Sequence, residues 1–331
     1  MSPTAAAYTP ISVAFLPEPL ITWADLTGVR FEEPFFRQTI ARVETERPKL
    51  ITGIDALRAC DVDGGLDPSL IVFHASRCGS TLLAQMLAAL PTSVVISEPT
   101  AINQALVSPL PTADRIELVR LLVRAFGRNQ PPGAGPLVLK LSSWNVCLGA
   151  LVRAAFPKTP LVWLQRNPAA IVASQVERPA GWVHWHREGD PAVNVFGMTI
   201  EETRSLSEEA FILSAIRAIF AAAAAFADGG SAGWQVADYA ELPEAAWTKV
   251  AKHAGISLSH ADLDRLRVRA RFNAKTAITE AFIKREAVGD GLTGLSDATK
   301  RFVAAQIDPL YRALGDQEPR VQELRDRLVD G

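Results

Sequence analysis

Cysteine is scarce in this sequence, and its scarcity argues against two kinds of site. Only three cysteines, Cys60, Cys78 and Cys147, occur among 331 residues, and they lie far apart. Their spacing provides neither a disulfide framework nor a set of metal ligands. We therefore expect no disulfide framework and no metal site built on cysteines, and we expect the reducing environment of the cytoplasm.

The sequence also lacks a large excess of positive or negative charge and a clear membrane span. Lys and Arg total 34 against 36 for Asp and Glu, so the formal net charge is -2, which gives no basis for nucleic-acid binding. The first residues lack the basic region that is typical of a signal peptide. The longest apolar run, 210–227, is mostly alanine and contains Arg217, which favours a buried helix over a membrane span. We expect no membrane partner.

A stretch at 69–83 has the pattern of a phosphate-binding loop. Leu70 to Phe73 is a short apolar run after turn residues, which predicts a buried parallel strand. The apolar spacing from Ser80 onward predicts a helix that begins directly after a small polar turn. The first N–H groups of such a helix have no intrahelical partner, and the helix dipole favours an anion beside them. An ordinary polar turn between strand and helix is the alternative.

The turn lacks two residues that define the loop of nucleoside triphosphate-binding proteins. In the motif G-x-x-x-x-G-K-[ST], His74 occupies the first glycine position and Ser80 occupies the lysine position. Without that lysine, the γ-phosphate of ATP loses its usual counter-charge. A small-molecule or nucleotide kinase is therefore the less favoured alternative. A catalytically silent nucleotide-binding protein is a second alternative.

Three further apolar runs, 93–96, 136–141 and 159–164, predict strands that end at polar side chains. Glu98 follows the first run, Lys140 ends the second and Arg166 follows the third. In an open parallel sheet, ligands bind beyond the carboxyl ends of the strands, so these side chains lie where chemistry is expected. Pro168 suits the first turn of a helix, which places Ser174 two turns into that helix.

Taken in order, these elements resemble the sulfotransferases that use 3′-phosphoadenosine 5′-phosphosulfate (PAPS). The resemblance covers Leu70 to Gln175 and is greatest to the branch that contains tyrosylprotein sulfotransferases and uncharacterised bacterial enzymes. The family loop has a basic residue, a small residue, Gly and two hydroxyl residues, and 77–81 (Arg-Cys-Gly-Ser-Thr) is similar to it. The family also has an Arg at a strand end and a Ser eight positions later, as Arg166 and Ser174 are here. Asn167 stands where the family usually has Asp.

The resemblance implies a fold, a reaction and a set of site residues. The fold is α/β, of the P-loop type, with three layers and a central parallel sheet flanked by helices. The reaction is in-line transfer of a sulfuryl group from PAPS to a hydroxyl or amine of a small-molecule or peptide acceptor, without a metal. The implied donor-binding residues are Arg77, Cys78, Gly79, Ser80, Thr81, Arg166 and Ser174.

The same resemblance assigns catalytic roles to Arg77, Lys140 and Glu98. Lys140 is expected to reach the transferred group, and Glu98 is expected to accept the proton of the acceptor. An alternative for Glu98 is an ion pair with Arg77 or Arg166 that only holds the empty site together. The oligomeric state is left open.

The remaining parts of the chain give weaker expectations. Residues 1–68 are predicted to form an N-terminal extension packed on the core, with helices at 36–43 and 54–59. Residues 69–331 are predicted to form the α/β domain, with a helical C-terminal part that includes helices at 243–254, 260–270, 296–314 and 317–328. Three phenylalanines within 31–36 are expected to dock on the core or to cap a substrate pocket. Residues 181–187, with two Trp and two His, line an acceptor pocket or face the core. Residues 269–275 are expected to supply donor contacts, and 234–242 a late strand and turn.

Overall fold

The structure, a computed structural model, describes residues 8–43, 48–62, 65–128, 135–228, 233–274 and 294–316. Its N-terminal part contains a three-stranded antiparallel sheet in the order β1-β2-β3. The strands are β1 (Tyr8–Phe15), β2 (Pro19–Asp25) and β3 (Lys49–Gly53). Two helices follow the second and third strands, namely α1 (Phe36–Val43) and α2 (Ile54–Val62). Both helices were expected from the sequence, whereas the sheet was not.

The centre of the molecule is a five-stranded sheet in which all neighbouring strands are parallel. In chain order the strands are β4 (Leu70–His74), β5 (Val94–Ser97), β6 (Leu137–Lys140), β7 (Leu161–Gln165) and β8 (Trp234–Asp238). Their order across the sheet is β5-β6-β4-β7-β8. The first four strands are all fully buried, as expected of strands covered on both faces. The predicted strands are therefore confirmed, with ends that shift by one or two residues.

Helices cover both faces of this sheet, which confirms the predicted three-layer α/β fold. Alternate strand residues belong to two separate apolar cores: Ile71 and Phe73 to one, Leu70 and Val72 to the other. The core around Leu70 includes helix α3 (Ser80–Ala88) and helix α11 (His260–Ala270). The core around Ile71 includes α4 (Thr100–Leu106), α5 (Thr112–Phe126), α6 (Gly149–Ala155), α7 (Pro168–Glu177) and α10 (Glu208–Asp228).

Several shorter helices complete the described chain. These are α8 (His184–Glu188), α9 (Ile200–Arg204) and α12 (Asp297–Phe302). Short 3₁₀ helices cover Ser143–Leu148, Gly181–Val183, Pro191–Phe196 and Tyr239–Glu241. The predicted helix at 243–254 contains a π-helical stretch, Ala246–Ala251, and the one at 296–314 contains another, Val303–Ile307. The predicted helix at 317–328 lies outside the described residues.

Helix α10 contains the apolar run that the sequence analysis noted. By length and composition it is the one helix in the described ranges that could cross a membrane, but core helices of soluble proteins pass the same test. Its residues Phe211 and Phe220 are fully buried. The ring of Phe211 contacts Trp182, and that of Phe220 contacts Trp163. One face of α10 therefore packs against the central domain.

The N-terminal sheet packs on the same apolar core as the central sheet. Val13, Ile21 and Trp23 are buried together with Phe73 and residues of α4 and α5. The backbone N–H of Val13 donates to Gln104 Oε1 in α4 at 2.8 Å. Residues before the central domain are thus in direct contact with helices that line its carboxyl edge, although the boundary at residue 68 stays a prediction.

Candidate active site

The loop between β4 and α3 adopts an unusual backbone. Ser76, Arg77 and Gly79 have φ values of 64°, 48° and 83°, in the left-handed region. A Cβ atom at Gly79 would lie 2.8 Å from the side chains of both Leu242 and Tyr239, so only glycine fits there. Helix α3 begins directly after Gly79, and the N–H groups of its first turn have no carbonyl acceptor within the helix. The predicted strand, loop and helix are confirmed.

His74, at the position of the first glycine in the common motif, shapes this loop. Its Nε2 lies 3.0 Å from the carbonyl of Leu141, and its Nδ1 accepts the N–H of Ser76 at 3.1 Å. Since Nδ1 accepts, the hydrogen is on Nε2 and the ring is neutral. Burial and the Lys140 ammonium lower the pKa of His74, which agrees with that state. In the sequence, His74 stands out only as a departure from the motif.

A second residue that the sequence analysis missed holds the loop from the other side. Gln175 is fully buried in α7, and its Nε2 donates to Ser76 Oγ at 2.8 Å. Its Oε1 accepts the N–H of Ala180 at 2.8 Å. A polar residue in an otherwise apolar helix face, directly after Ser174, was the only indication in the sequence.

The predicted donor-binding residues of the loop reach the cleft in different ways. The thiol of Cys78 points away into the core and donates to the carbonyl of Leu164 at 3.2 Å. Burial raises the pKa of this thiol to about 12, so it is not a nucleophile. Cys78 can therefore serve a ligand only through its backbone. Ser80 and Thr81, at the start of α3, are nearly buried and line the cleft.

Arg77 lines the cleft, but its guanidinium lies against α7. One Nη donates to the carbonyl of Arg178, while Nε is buried without a hydrogen-bond partner among the described residues. Burial and the neighbouring Arg178 charge lower the pKa of Arg77. An orphaned buried N–H beside a phosphate-type loop is a donor that a bound anion could satisfy.

Glu98 and Lys140 form an ion pair at the carboxyl edge of the sheet. Lys140 Nζ donates to Glu98 Oε1, and His74 Nε2 lies 3.7 Å from the same oxygen. Ser142 Oγ lies 3.4 Å from the other carboxylate oxygen. The Lys140 side chain is 1% exposed and that of Glu98 is 27% exposed. Glu98 therefore pairs with Lys140 and not with Arg77 or Arg166, the partners that the sequence left open.

The pairing keeps Glu98 ionised. Burial acts to raise the pKa of Glu98, but the Lys140 ammonium, assisted by the nearby His74 N–H, outweighs it, so the pKa is lowered. The backbone of Glu98 has a φ of 51°, and its N–H donates to the carbonyl of Lys140 at 2.7 Å. Pro99 disfavours the right-handed helical conformation at the residue before it, which agrees with this turn away from the helix that follows.

Arg166 and Ser174 lie on the other side of the loop. Arg166 Nη1 donates to the carbonyl of Arg77 at 3.1 Å, and its guanidinium lies 4.4 Å from the centre of the Tyr239 ring. Asn167 caps helix α7 by accepting the N–H of Ala170 at 3.2 Å, and Pro168 is at the first helical position as predicted. Asn167 thus performs the capping that an Asp would perform, without the charge.

Aromatic residues form another wall of the cleft. Trp144, Trp182 and Trp185 line it, and the rings of Trp144 and Trp185 contact edge to face at 5.2 Å. Trp182 also packs against Phe211 in the core. His186 Nε2 donates to the carbonyl of Leu206 at 2.9 Å, and the ring of His186 stacks on Phe211. Segment 181–187 therefore lines the cleft with some of its side chains and packs on the core with others.

The phenylalanines of the N-terminal segment divide in the same way. Phe31 and Phe36 are buried, and the ring of Phe36 packs edge to face against Phe126. Phe35 instead lines the cleft, with its ring centre 5.3 Å from Lys140 Nζ. Two of the three rings dock on the core, and one reaches the site.

Segment 269–275 touches the cleft only at its end. Arg269 donates to Gln85 Oε1 at 2.7 Å and to the carbonyl of Phe272 at 3.2 Å, so it anchors the segment to α3. Asn273 and Ala274 line the cleft. Lys275 lies outside the described residues.

All of the predicted site residues line one cleft of about 1210 Å³ at the carboxyl edge of the sheet. They are Arg77, Cys78, Gly79, Ser80, Thr81, Glu98, Lys140, Arg166 and Ser174. Arg37 and Arg178 add two cations to its lining, whereas Asp190 adds one anion. Within the described ranges, no group of three or more His, Cys, Asp or Glu side chains could hold a metal ion. The cleft therefore carries an excess of positive charge, which suits an anionic ligand.

Comparison with known proteins gives structural likenesses only. No family model matches the chain, and no curated protein sequence matches it. A sulfotransferase from Alicyclobacillus acidocaldarius is similar in structure at 12% identity and a TM-score of 0.44, over 76% of this chain and 96% of that chain. The sulfotransferase domain from the curacin biosynthetic pathway is similar at 14% identity and a TM-score of 0.44, over 72% and 97%. The function proposed below rests on the cleft itself.

Proposed function

We propose that this chain is a sulfotransferase that moves a sulfuryl group from PAPS to a hydroxyl or amine of a small-molecule or peptide acceptor in the cytoplasm. The observation that carries the proposal is the single cleft that joins the phosphate-type loop, Arg166 with Ser174, and the Glu98–Lys140 pair. In this proposal the loop would bind one phosphate, Arg166 with Ser174 would bind a second, and the Glu98–Lys140 pair would form the reacting centre.

The loop and the two arginines would hold the donor. The amide groups at the start of α3, with the cleft-lining Ser80 and Thr81, would face the 5′-phosphosulfate. Arg77 would turn its unsatisfied Nε toward the same group. Arg166 and Ser174 would bind the 3′-phosphate, where a charge-assisted hydrogen bond is stronger than a neutral one.

The reaction follows from the charges at the reacting centre. The sulfur–oxygen bond to the 5′-phosphate breaks as a bond forms between sulfur and the acceptor atom, and the released product is adenosine 3′,5′-bisphosphate. Negative charge grows on the leaving phosphate, where Lys140 would stabilise it. The proton of the acceptor passes to the Glu98 carboxylate, which is already ionised. As in phosphoryl transfer, positioning and charge stabilisation do most of the catalysis.

The Glu98–Lys140 pair would link donor binding to the basicity of Glu98. While Lys140 donates to Glu98, the carboxylate is a weak base because its pKa is lowered. When donor oxygens attract the ammonium, the carboxylate loses part of that stabilisation and becomes a stronger base. Donor binding would therefore prepare Glu98 for the acceptor.

Isothermal titration of the wild-type protein against three nucleotides tests the proposal. We expect adenosine 3′,5′-bisphosphate to bind more tightly than AMP, because it places a second phosphate at Arg166. ATP with Mg²⁺ is expected to bind weakly, because Ser80 replaces the loop lysine. Tighter binding of ATP with Mg²⁺ than of the bisphosphate would instead favour a kinase.

A further inference from the structure

The N-terminal segment 30–37, which we call the strap, runs beside the helix of the phosphate-type loop. Arg30 donates to the carbonyls of Ala88 and Pro91, each at 3.3 Å, near the end of α3. One turn earlier, Gln85 Nε2 donates to the carbonyl of Glu32 at 2.8 Å. The strap is thus attached to the helix that begins at the loop, at more than one point.

The core fixes the remainder of the strap. Phe31 is 8% exposed and Phe36 is 2% exposed, and their rings contact edge to face at 5.4 Å. Phe36 also packs against Phe126 at 5.5 Å. Between these anchors, the backbone N–H of Phe35 donates to Gln38 Oε1 at 3.1 Å. These contacts determine where the ring of Phe35 lies.

That ring covers Lys140. The centre of the Phe35 ring is 5.3 Å from Nζ, within the range in which a cation is attracted to the face of an aromatic ring. An ammonium has three N–H groups, and in the described part of the chain Nζ donates one hydrogen bond, to Glu98. The ring attracts the charge but accepts no strong hydrogen bond. It can therefore hold the ammonium at the cleft while leaving N–H groups for an incoming anion.

We infer that Phe35 is a positioning residue for Lys140, so that the N-terminal strap forms part of the active site. Its role in turnover rests on the proposed function, whereas its contact with the Lys140 ammonium does not. Removing the aromatic face, with the volume retained, leaves the ammonium freer to stay on Glu98. Lys140 then stabilises the charge of the leaving group less well.

Fluorination of the Phe35 ring tests the role without disturbing the packing. Introducing mono-, di- and trifluorophenylalanine at position 35 weakens the attraction to a cation in steps while the ring shape is nearly unchanged. We expect kcat at saturating PAPS to fall in the same steps, by about 2- to 30-fold at the end of the series. The affinity for adenosine 3′,5′-bisphosphate should remain unchanged, whereas the folding equilibrium should weaken at each step as the attraction to the Lys140 ammonium is lost. An unchanged kcat across the series would overturn the role.

A double-mutant cycle tests the contact independently of any activity. Phe35→Leu, Lys140→Met and the double variant are compared by denaturant unfolding, and the matched control cycle uses Phe36→Leu with Lys140→Met. We expect a coupling of about 2- to 30-fold in the folding equilibrium constant for Phe35 and none for Phe36. Equal coupling in both cycles would overturn the contact.

The two experiments separate this inference from the proposed function. If the wild-type protein transfers no sulfuryl group but the Phe35 cycle shows coupling, the proposed function is wrong and the contact stands. The Arg37 guanidinium also lies 5.8 Å from the centre of the Phe35 ring. If Lys140→Met does not fold, unfolding of the fluorinated series in an Arg37→Leu background therefore decides the contact, because each step should still weaken the folding equilibrium. Stability that does not change along that series would overturn the contact.

Discussion

Replacing Glu98 with glutamine removes the proposed base while keeping its contacts. The amide oxygen of Gln can accept from Lys140 as the carboxylate does, and the amide nitrogen can donate to Ser142 Oγ, which lies 3.4 Å from Oε2. The shape of the site should therefore survive the Glu98→Gln change. What is lost is the negative charge and the ability to take up a proton.

The structure sets the magnitudes of two effects. A positioned carboxylate base contributes about 10²- to 10⁴-fold, so turnover should fall by that factor. The Lys140 ammonium, 1% exposed, keeps a neutral partner in place of a charged one. A hydrogen bond to a charged group contributes about 1.5–3 kcal/mol, and part of this should be lost from the free energy of unfolding. Stability loss alone therefore does not exclude the base role.

The assay measures turnover with PAPS and a working acceptor, together with the affinity for adenosine 3′,5′-bisphosphate and the unfolding free energy. A base role predicts that turnover falls while the affinity for the bisphosphate is retained, since Glu98 faces the acceptor. Asn103→Ala is a useful control, because Asn103 Nδ2 donates to Ser142 Oγ at 3.0 Å and, among the described residues, Asn103 forms no hydrogen bond with Glu98 or Lys140. Wild-type turnover in Glu98→Gln would refute the base role. Loss of donor affinity in proportion to stability would indicate a structural ion pair.

Three further predictions concern the loop and the charges beside it. Arg77→Ala and Lys140→Ala should both slow transfer. Lys140→Ala should lower kcat more than nucleotide affinity, because the charge that Lys140 stabilises develops in the transition state. Unchanged turnover in Lys140→Ala would mean that Lys140 has only a structural role. Gly79→Ala should reduce the unfolding free energy by at least about 1–2 kcal/mol and weaken bisphosphate binding, since Gly79 has a φ of 83° and no room for a Cβ. Denaturant unfolding measures the first effect and titration calorimetry the second, and wild-type stability and affinity in the variant would contradict the loop geometry. The pKa of Glu98 lies below its ordinary value of 4.5 and that of His74 below 6.5, so both groups keep their active forms as pH falls from neutrality to 6.5. The acid limb of kcat/KM should therefore lie below pH 6.5, and an acid limb at or above that value would contradict this assignment.

The central sheet and the position of the site were accessible from the sequence, because they depend on local patterns. Apolar runs such as Leu70–Phe73 end at polar residues, and parallel strands bring those ends to one edge. Pro168 marks the start of α7 because proline fixes the φ of a first helical turn. The joining of Glu98, Lys140 and Arg166 in one cleft follows from these two features.

Long-range contacts were not accessible in the same way. The pairing of Glu98 with Lys140 rather than Arg77 or Arg166 depends on the register of β5 beside β6, which no local pattern states. The N-terminal sheet escaped prediction because β1 and β2 contain proline and β1 has a bulge between Pro10 and Ser12. Phe35 looked equivalent to Phe31 and Phe36 in sequence, and only the packing of α1 separates them.

The most direct test of the central claim is the effect of Arg166→Ala on the affinities for two nucleotides that differ by the 3′-phosphate. Titration calorimetry with adenosine 3′,5′-bisphosphate and with AMP, on wild type and variant, isolates the energy that this phosphate gains at Arg166. A donor site for PAPS predicts a loss of about 1.5–3 kcal/mol for the bisphosphate and almost none for AMP. Equal losses for both nucleotides, or no loss for either, would contradict the assignment of this cleft to PAPS.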